Sequence, residues 1–324
     1  MKNGINVLSL FDGLSCGNIA LERAGIQVNS YYASEIDKWA IQIANKNYPG
    51  IIQLGDVLGV KAKDLPKIDL LIGGSPCQDL SFAGKGKGLE GDRSSLFYQY
   101  VRLLKECKPK YFLLENVRMK KEYSDIISDL LGVQPIKINS SLVSAQNRVR
   151  LYWTNIPNVT QPEDSGLLLK DILEPCPESF YNAGKKLLEN YKGGDQLNPN
   201  YKSQANKIHD VNKKAPTICA GTHGYALGYV DRDKSYCLDA NYAKGGNLKR
   251  YFFRSSRQLV FNNDKPITSE TTYRKLTTKE CSRLQTIPDS YCDGVSNTQK
   301  YKMLGNSWTA DIIAHLFKGL KDGE

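Results

Sequence analysis

Ile5-Asn6-Val7-Leu8-Ser9-Leu10-Phe11-Asp12-Gly13-Leu14-Ser15-Cys16-Gly17 opens as a short apolar run, breaks at a glycine-bearing turn and leads into an amphipathic stretch over 17–24. That order reads as a strand, a sharp turn and a helix. Outward from it the same alternation recurs. Further apolar runs stand at Ser30–Ser34, Ile51–Leu54, Asp69–Ile72, Tyr111–Leu114, Ile136–Ile138 and Arg150–Trp153, with helix-like segments near 37–47, 94–107 and 122–131. Strands alternating with helices predict an α/β fold, a mostly parallel sheet with both faces covered. Ligands of such sheets lie at the carboxyl ends of the strands, so the residues just after each run are the candidates for function.

The chain has 324 residues, which is long for one compact core and predicts two domains or one large domain with an appendage. With 40% hydrophobic and 24% charged residues it can bury a sizeable core, which excludes collagen-like, coiled-coil and low-complexity readings. No apolar run reaches the roughly 18 residues of a membrane span, and the first run is too short and poorly flanked for a signal peptide, so the expectation is a soluble, cytoplasmic protein without membrane partners. The eight cysteines form no C-x-x-C pair and have no histidine positioned to complete a zinc pattern, so they read as reduced thiols and no metal is expected.

Past residue 157 the texture changes. Prolines at 157, 162, 175 and 177 open a region with few clear helices, and 193–265 carries twelve Lys/Arg against six Asp and no Glu. That window supplies +6 of the chain's net +10, with tyrosines and phenylalanines interleaved. The excess favours a polyanion such as nucleic acid, while also fitting a solvated irregular domain. A faint echo joins Lys214–Ala220 to Lys234–Ala240. Helical texture returns at 278–286 and 307–320, so the chain is expected to rejoin the first domain.

Several strand ends carry chemistry. Glu35 and Asp56 follow the second and third strands, where an acid can bind the ribose hydroxyls of a nucleoside. Gly73-Gly74-Ser75-Pro76-Cys77-Gln78 follows the fourth and Glu115-Asn116-Val117 the fifth, bringing a thiol and a carboxylate to neighbouring strand ends. A free thiol is only a few per cent ionised at neutral pH, so a reactive one needs nearby cations or N–H donors. Arg148 and Arg150, two apart like same-face residues of a strand, are the candidates to supply them.

The ordered set F-D-G-L-S-C-G (11–17), E-I-D (35–37), G-D-V (55–57), G-G-S-P-C-Q (73–78), E-N-V (115–117), Q-N-R-V-R (146–150), R-K-L-T-T-K-E-C-S-R-L-Q-T-I-P (274–288) and L-G-N-S-W (304–308) resembles the S-adenosylmethionine-dependent DNA cytosine-5 methyltransferases. V-S-A-Q-N-R-V-R-L-Y-W (143–153) and G-N-S-W look especially like the catalytic domains of animal de novo methyltransferases and of related bacterial and phage enzymes. Two departures stand out: Ser15 occupies the place of a second loop glycine, and Trp308 that of a common valine.

The resemblance implies a Rossmann-like class I methyltransferase fold: a catalytic domain of 1–156 and 271–324, and a smaller, irregular, β-rich target-recognition domain at 157–270. It implies Cys77 as nucleophile, Glu115 at the N3 edge of the cytosine, and Arg148 and Arg150 on the base O2 and nearby phosphate. For S-adenosyl-L-methionine, leaving as S-adenosyl-L-homocysteine, it implies Phe11, Gly13, Leu14, Gly17, Glu35, Ile36, Asp56, Val57, Pro76, Leu96, Asn306 and Ser307. For double-stranded DNA it implies Gln78, Ser81, Lys85, Lys87 and Arg93 on a loop closing over the flipped base, and Lys244, Arg250 and Arg254 among the readers, with Arg232 a further candidate. A monomer is expected, with a cognate restriction endonuclease as the partner of a restriction-modification setting. A tRNA cytosine-5 enzyme and a non-catalytic DNA binder are the alternatives; the Asp/Asn-Pro-Pro-Tyr/Phe motif that an amino-group methyltransferase needs is absent.

Overall fold

The computed structural model of the chain describes residues 4–76, 96–175, 182–183, 259–261 and 272–321. All seven apolar runs are strands of one sheet: β1 (Ile5–Leu10), β2 (Val28–Ser34), β3 (Ile51–Gln53), β4 (Leu70–Gly73), β5 (Tyr111–Val117), β6 (Ile136–Asn139) and β7 (Val149–Thr154). Their order is β3-β2-β1-β4-β5-β7-β6, and the pairs from β3 through to β5 are parallel. β7 is antiparallel to both β5 and β6. The cause is local: residues 140–148 are too few for the crossover that a parallel return requires, so the chain doubles back as a hairpin. β8 (Asn182–Ala183), β9 (Leu259–Phe261) and β10 (Thr272–Lys275) form a separate antiparallel sheet in the order β8-β10-β9.

Two apolar layers cover the large sheet. Successive residues of β1 and β5 point to opposite faces, so Val7 and Leu113 join one layer while Leu8 and Leu114 join the other. The first layer is closed by α1 (Cys16–Ala24) and α8 (Ala310–Phe317), through Leu21, Ile313 and Phe317. The second is closed by α3 (Leu96–Cys107) and α4 (Lys121–Leu131), through Phe97, Tyr100 and Ile127. A third cluster joins α2 (Lys38–Asn47), α5 (Leu169–Ile172), α6 (Thr278–Leu284) and α7 (Asn297–Asn306) around Ile43, Leu169, Leu284 and Leu304. Among the described residues no helix is long and apolar enough to cross a membrane.

Buried polar side chains stitch the carboxyl-terminal return to the segment before β7. Gln146 Nε2 and Ser144 Oγ both donate to the Leu284 carbonyl, Gln285 Nε2 donates to the Leu304 carbonyl, and Ser140 Oγ donates to Thr309 Oγ1. Glu280, fully buried, holds α6 at its start: Oε2 accepts from the Thr277 amide and Oε1 from the Glu174 amide, 106 residues away in the chain. Where the chain leaves the large sheet and where it returns are thus held by one carboxylate. Glu280→Ala leaves both amides without that acceptor and should lower stability by about 2–4 kcal/mol, read as a fall in the urea midpoint at unchanged slope.

Candidate active site

The strand order reverses between β1 and β4, because β2 and β3 lie to one side and β5 to the other. A cleft of about 520 Å³ opens there at the carboxyl ends. Its floor is the turn after β1, in which Phe11, Gly13 and Ser15 all take left-handed φ, at 58°, 59° and 58°. Glycine does so freely; for the other two the conformation costs roughly 1–2 kcal/mol each. Ser15 thus keeps the backbone shape that the second loop glycine would give, as the residue just before α1.

The strained turn is held from several sides. Gly13 N–H donates to Glu35 Oε2 at 2.8 Å, Tyr31 Oη donates to Asp12 Oδ1 at 2.7 Å, Asn18 Nδ2 donates to Ser15 Oγ, and Tyr291 Oη donates to the Leu14 carbonyl. Such over-determination is what lets unfavourable φ values persist. Glu35 also accepts the Ile36 and Asp37 amides on Oε1, so its carboxylate is fixed in position. Asp56 accepts the Leu58 amide at the start of a short 3-10 helix (Val57–Gly59), and Arg102 from α3 donates to the Val57 and Val60 carbonyls on either side.

Across the cleft, β7's antiparallel register sets Val117 opposite Arg150 and Glu115 opposite Tyr152. The diagonal neighbours Glu115 and Arg150 lie on one face, and Arg150 Nε meets Glu115 Oε1 at 2.9 Å with both side chains nearly covered. Arg148 is buried and its guanidinium donates to the Ser307 carbonyl at 2.9 Å and toward Gly305. That hold ties β7 to the segment carrying Asn306 and Ser307. Asn116, on the opposite face of β5, donates from Nδ2 to Ser75 Oγ at 3.0 Å, fixing the turn that leads into residue 77.

The cleft brings together Phe11, Gly13, Leu14, Glu35, Ile36, Asp56, Val57, Pro76, Leu96, Asn306 and Ser307, and with them Glu115, Arg148 and Arg150. Gly17 is not brought there. It sits where α1 crosses β2 and β4, and a Cβ on it would meet Ile72 and the Tyr31 hydroxyl at 2.5 Å, so its smallness serves helix-on-sheet packing. Cys77, Gln78, Ser81, Lys85, Lys87, Arg93, Arg232, Lys244, Arg250 and Arg254 lie outside the described residues, as do the 214–240 echo and most of the basic window. The four described cysteines are poor nucleophiles. Burial pushes Cys16 and Cys292 up to about 12, Cys281 well above its usual value, and Cys107 upward. Among the described residues no group of His, Cys, Asp and Glu could hold a metal.

Sequence reasoning gave no role to Asn116, Ser75 or the Trp308 indole, whose Nε1 donates to Glu115 Oε2 at 3.1 Å. Asn116 and Trp308 both sit inside motifs it had marked. Their partners are 41 and 193 residues distant, and no spacing rule reaches that far.

Strand order, the antiparallel β7 and the cleft at the sheet's switch point define an α/β class I methyltransferase fold. A solved Entamoeba histolytica methyltransferase, EhMeth, superposes with a TM-score of 0.71 at 18% identity, covering 99% of each chain. The type II methyltransferase M.NlaX of Neisseria lactamica is 29% identical, over 97% of this chain and 96% of its own. M1.ScrFI of Lactococcus lactis subsp. cremoris, also a type II methyltransferase, is 30% identical over 95% of this chain and 75% of its own. The profile of the C-5 cytosine-specific DNA methylases matches residues 5–322, and the chain belongs to that family. It is therefore a DNA cytosine-5 methyltransferase.

Burial raises the Asp12 carboxyl from the usual 3.8 to about 6, with the Glu35 charge adding to the rise and hydrogen bonds from Ser9, Tyr31 and Ser15 opposing it. The folded state therefore holds a proton here that the unfolded chain releases near 3.8, so this group favours folding at low pH and that contribution is lost as pH rises through 6. Asp12→Asn, uncharged throughout, should stabilise the protein by about 1–2 kcal/mol at neutral pH. Melting curves across pH check this: the variant's advantage should vanish in acid below the ordinary carboxylate range.

Proposed function

We propose that this chain transfers a methyl group from S-adenosyl-L-methionine to C5 of a cytosine flipped out of a specific double-stranded DNA sequence, through a covalent bond between the Cys77 sulfur and C6. The observation that carries the proposal is the Glu115–Arg150 pair, which faces the same cleft as Glu35 and Asp56 and stands beside the Ser75-Pro76 turn that leads into Cys77.

Cytosine C5 is a weak nucleophile inside an aromatic ring. Addition of the Cys77 thiolate to C6 forms an S–C6 bond and shifts the ring's electrons toward C5. As negative charge develops in the ring, the Glu115 carboxyl group donates a proton to N3 and takes it back when the S–C6 bond breaks, and Arg150 keeps that carboxyl oriented. S-adenosyl-L-methionine supplies the methyl group as an electrophilic sulfonium substituent, which the enamine-like C5 accepts. A base, most simply water, then removes the C5 proton, the S–C6 bond breaks and aromaticity returns.

The residues present fit that cofactor. Glu35 and Asp56 are acceptors suited to ribose hydroxyls and an adenine amino group, and Ile36 stands 74% exposed on the cleft, an apolar surface suited to a stacked purine. Around Gly13 a Cβ would find no atom within 4 Å, so the turn leaves room for a ligand. Neither face of a stacked base is open to attack, so flipping is required, at a cost of a few kcal/mol. Gln78, Ser81, Lys85, Lys87 and Arg93 would close over the flipped base. The segment 157–270, with Lys244, Arg250 and Arg254, would neutralise phosphates and read base edges. A cytoplasmic monomer working beside a cognate restriction endonuclease belongs to the same proposal, and the type II designation of the M.NlaX and M1.ScrFI relatives supports its restriction-modification setting.

With methyl-labelled cofactor and duplex DNA, the wild type should yield 5-methylcytosine. Cys77→Ala should abolish transfer, and Glu115→Gln should lower the rate roughly 10²–10⁴-fold. Label transfer that survives Cys77→Ala, or that goes to tRNA in place of duplex DNA, contradicts the proposal.

A further inference from the structure

Glu115 is gripped from two directions. Arg150 Nε reaches Oε1 at 2.9 Å from the neighbouring strand, and Trp308 Nε1 reaches Oε2 at 3.1 Å from the segment that follows α7. A carboxylate held on one oxygen only still turns about its terminal bond, whose torsional preference is broad. Held on both, its plane is fixed, and each oxygen keeps a second lone pair for a ligand.

The indole is itself fixed. Its ring packs against two of the apolar clusters, its backbone amide lies on the buried Cys16 thiol, and the carbonyl just before it, that of Ser307, accepts from Arg148. The space around it is closed on the cleft side by Gly74, where a Cβ would come within 2.9 Å of Trp308 Nε1 and 3.2 Å of Glu115 Oε2. A glycine at the end of β4 is thus what allows the indole and the carboxylate to meet.

We propose that Trp308 is a positioning residue for the methyl-transfer reaction: its indole N–H, together with Arg150, sets the plane of the Glu115 carboxylate against the cytosine edge. The same segment carries Asn306 and Ser307 on the cleft, so the two halves of the site share one rigid support. Bonding through the N–H is separable from packing of the ring. Phenylalanine keeps an aromatic ring there but has no donor, whereas leucine removes both.

The inference rests on the reaction proposed above, and the test separates the two. Full-length wild type, Trp308→Phe, Trp308→Leu, Gly74→Ala and the Trp308→Phe/Gly74→Ala double variant are compared by melting temperature, by kcat and KM for the cofactor, and by release of tritium from C5-labelled cytosine in duplex DNA without cofactor. Trp308→Phe should lower kcat and tritium release roughly 10- to 100-fold, the size of one hydrogen bond to a charged group, with KM and melting temperature nearly unchanged. Gly74→Ala should cost less in the Trp308→Phe background than alone, because the atom it collides with is gone. A Trp308→Phe enzyme within about twofold of wild type in kcat and tritium release overturns the inference. So do fully additive effects of the two substitutions. A Trp308→Phe variant that fails to fold shifts the decision to Gly74→Ala, which must then lower both rates at unchanged KM. A wild type that neither methylates nor exchanges tritium contradicts the proposed function itself.

Discussion

A carboxylate nearly sealed from water is expensive unless cations or N–H groups face it, and at Glu115 that requirement organises the site. Its first partner, Arg150, is within reach only because β7 runs against β5, in a register that sets the two on one face. The hairpin formed by β6 and β7 is therefore part of the cleft as much as of the sheet. Its second partner, Trp308, is within reach only because the chain returns after β10 and packs α8 against α1.

The return is secured by side chains that satisfy backbone groups. Arg148, Gln146 and Gln285 are all buried, and each donates to carbonyls at the ends of α6 or α7. Helix ends carry unsatisfied carbonyls, so these contacts resolve a need of the helices while locating the residues that follow. The turn after β1 follows the same logic. Phe11 and Ser15 take unfavourable backbone conformations in a turn held by partners on and just after β2, on α1 and at Tyr291, with open space beside Gly13.

The sheet was legible because its signal is local. Seven apolar runs, each bounded by polar turns, became seven strands, and α1 to α4 fell within two residues of the expected segments. Helix α7 was missed, for a reason its sequence explains: Asn297–Asn306 buries only Met303, Leu304 and Gly305, too few apolar positions to mark a face. At the site, acids and glycines following strands were visible as candidates, and all the expected cofactor residues except Gly17 line one cleft. Gly17 lies instead at the close crossing of α1 over Tyr31 and Ile72, where a Cβ would collide. The contacts that orient Glu115 and Ser75 could not be read, because each joins strand ends or segments far apart in the chain. Cys77 stands out in the sequence by its place after the fourth apolar run and by resemblance to the family; the chain's match over 5–322 supports the family, and the role of Cys77 remains the proposal made above.

The central claim is that one thiol and one carboxyl group act on opposite parts of the same cytosine ring. Fluorine in place of the C5 hydrogen blocks the final elimination, so duplex DNA carrying 5-fluorocytosine should trap the protein when cofactor is present. Peptide mass spectrometry should then find the adduct on Cys77. Methylation of ordinary DNA with no trapped adduct, or an adduct on another cysteine, would contradict the account.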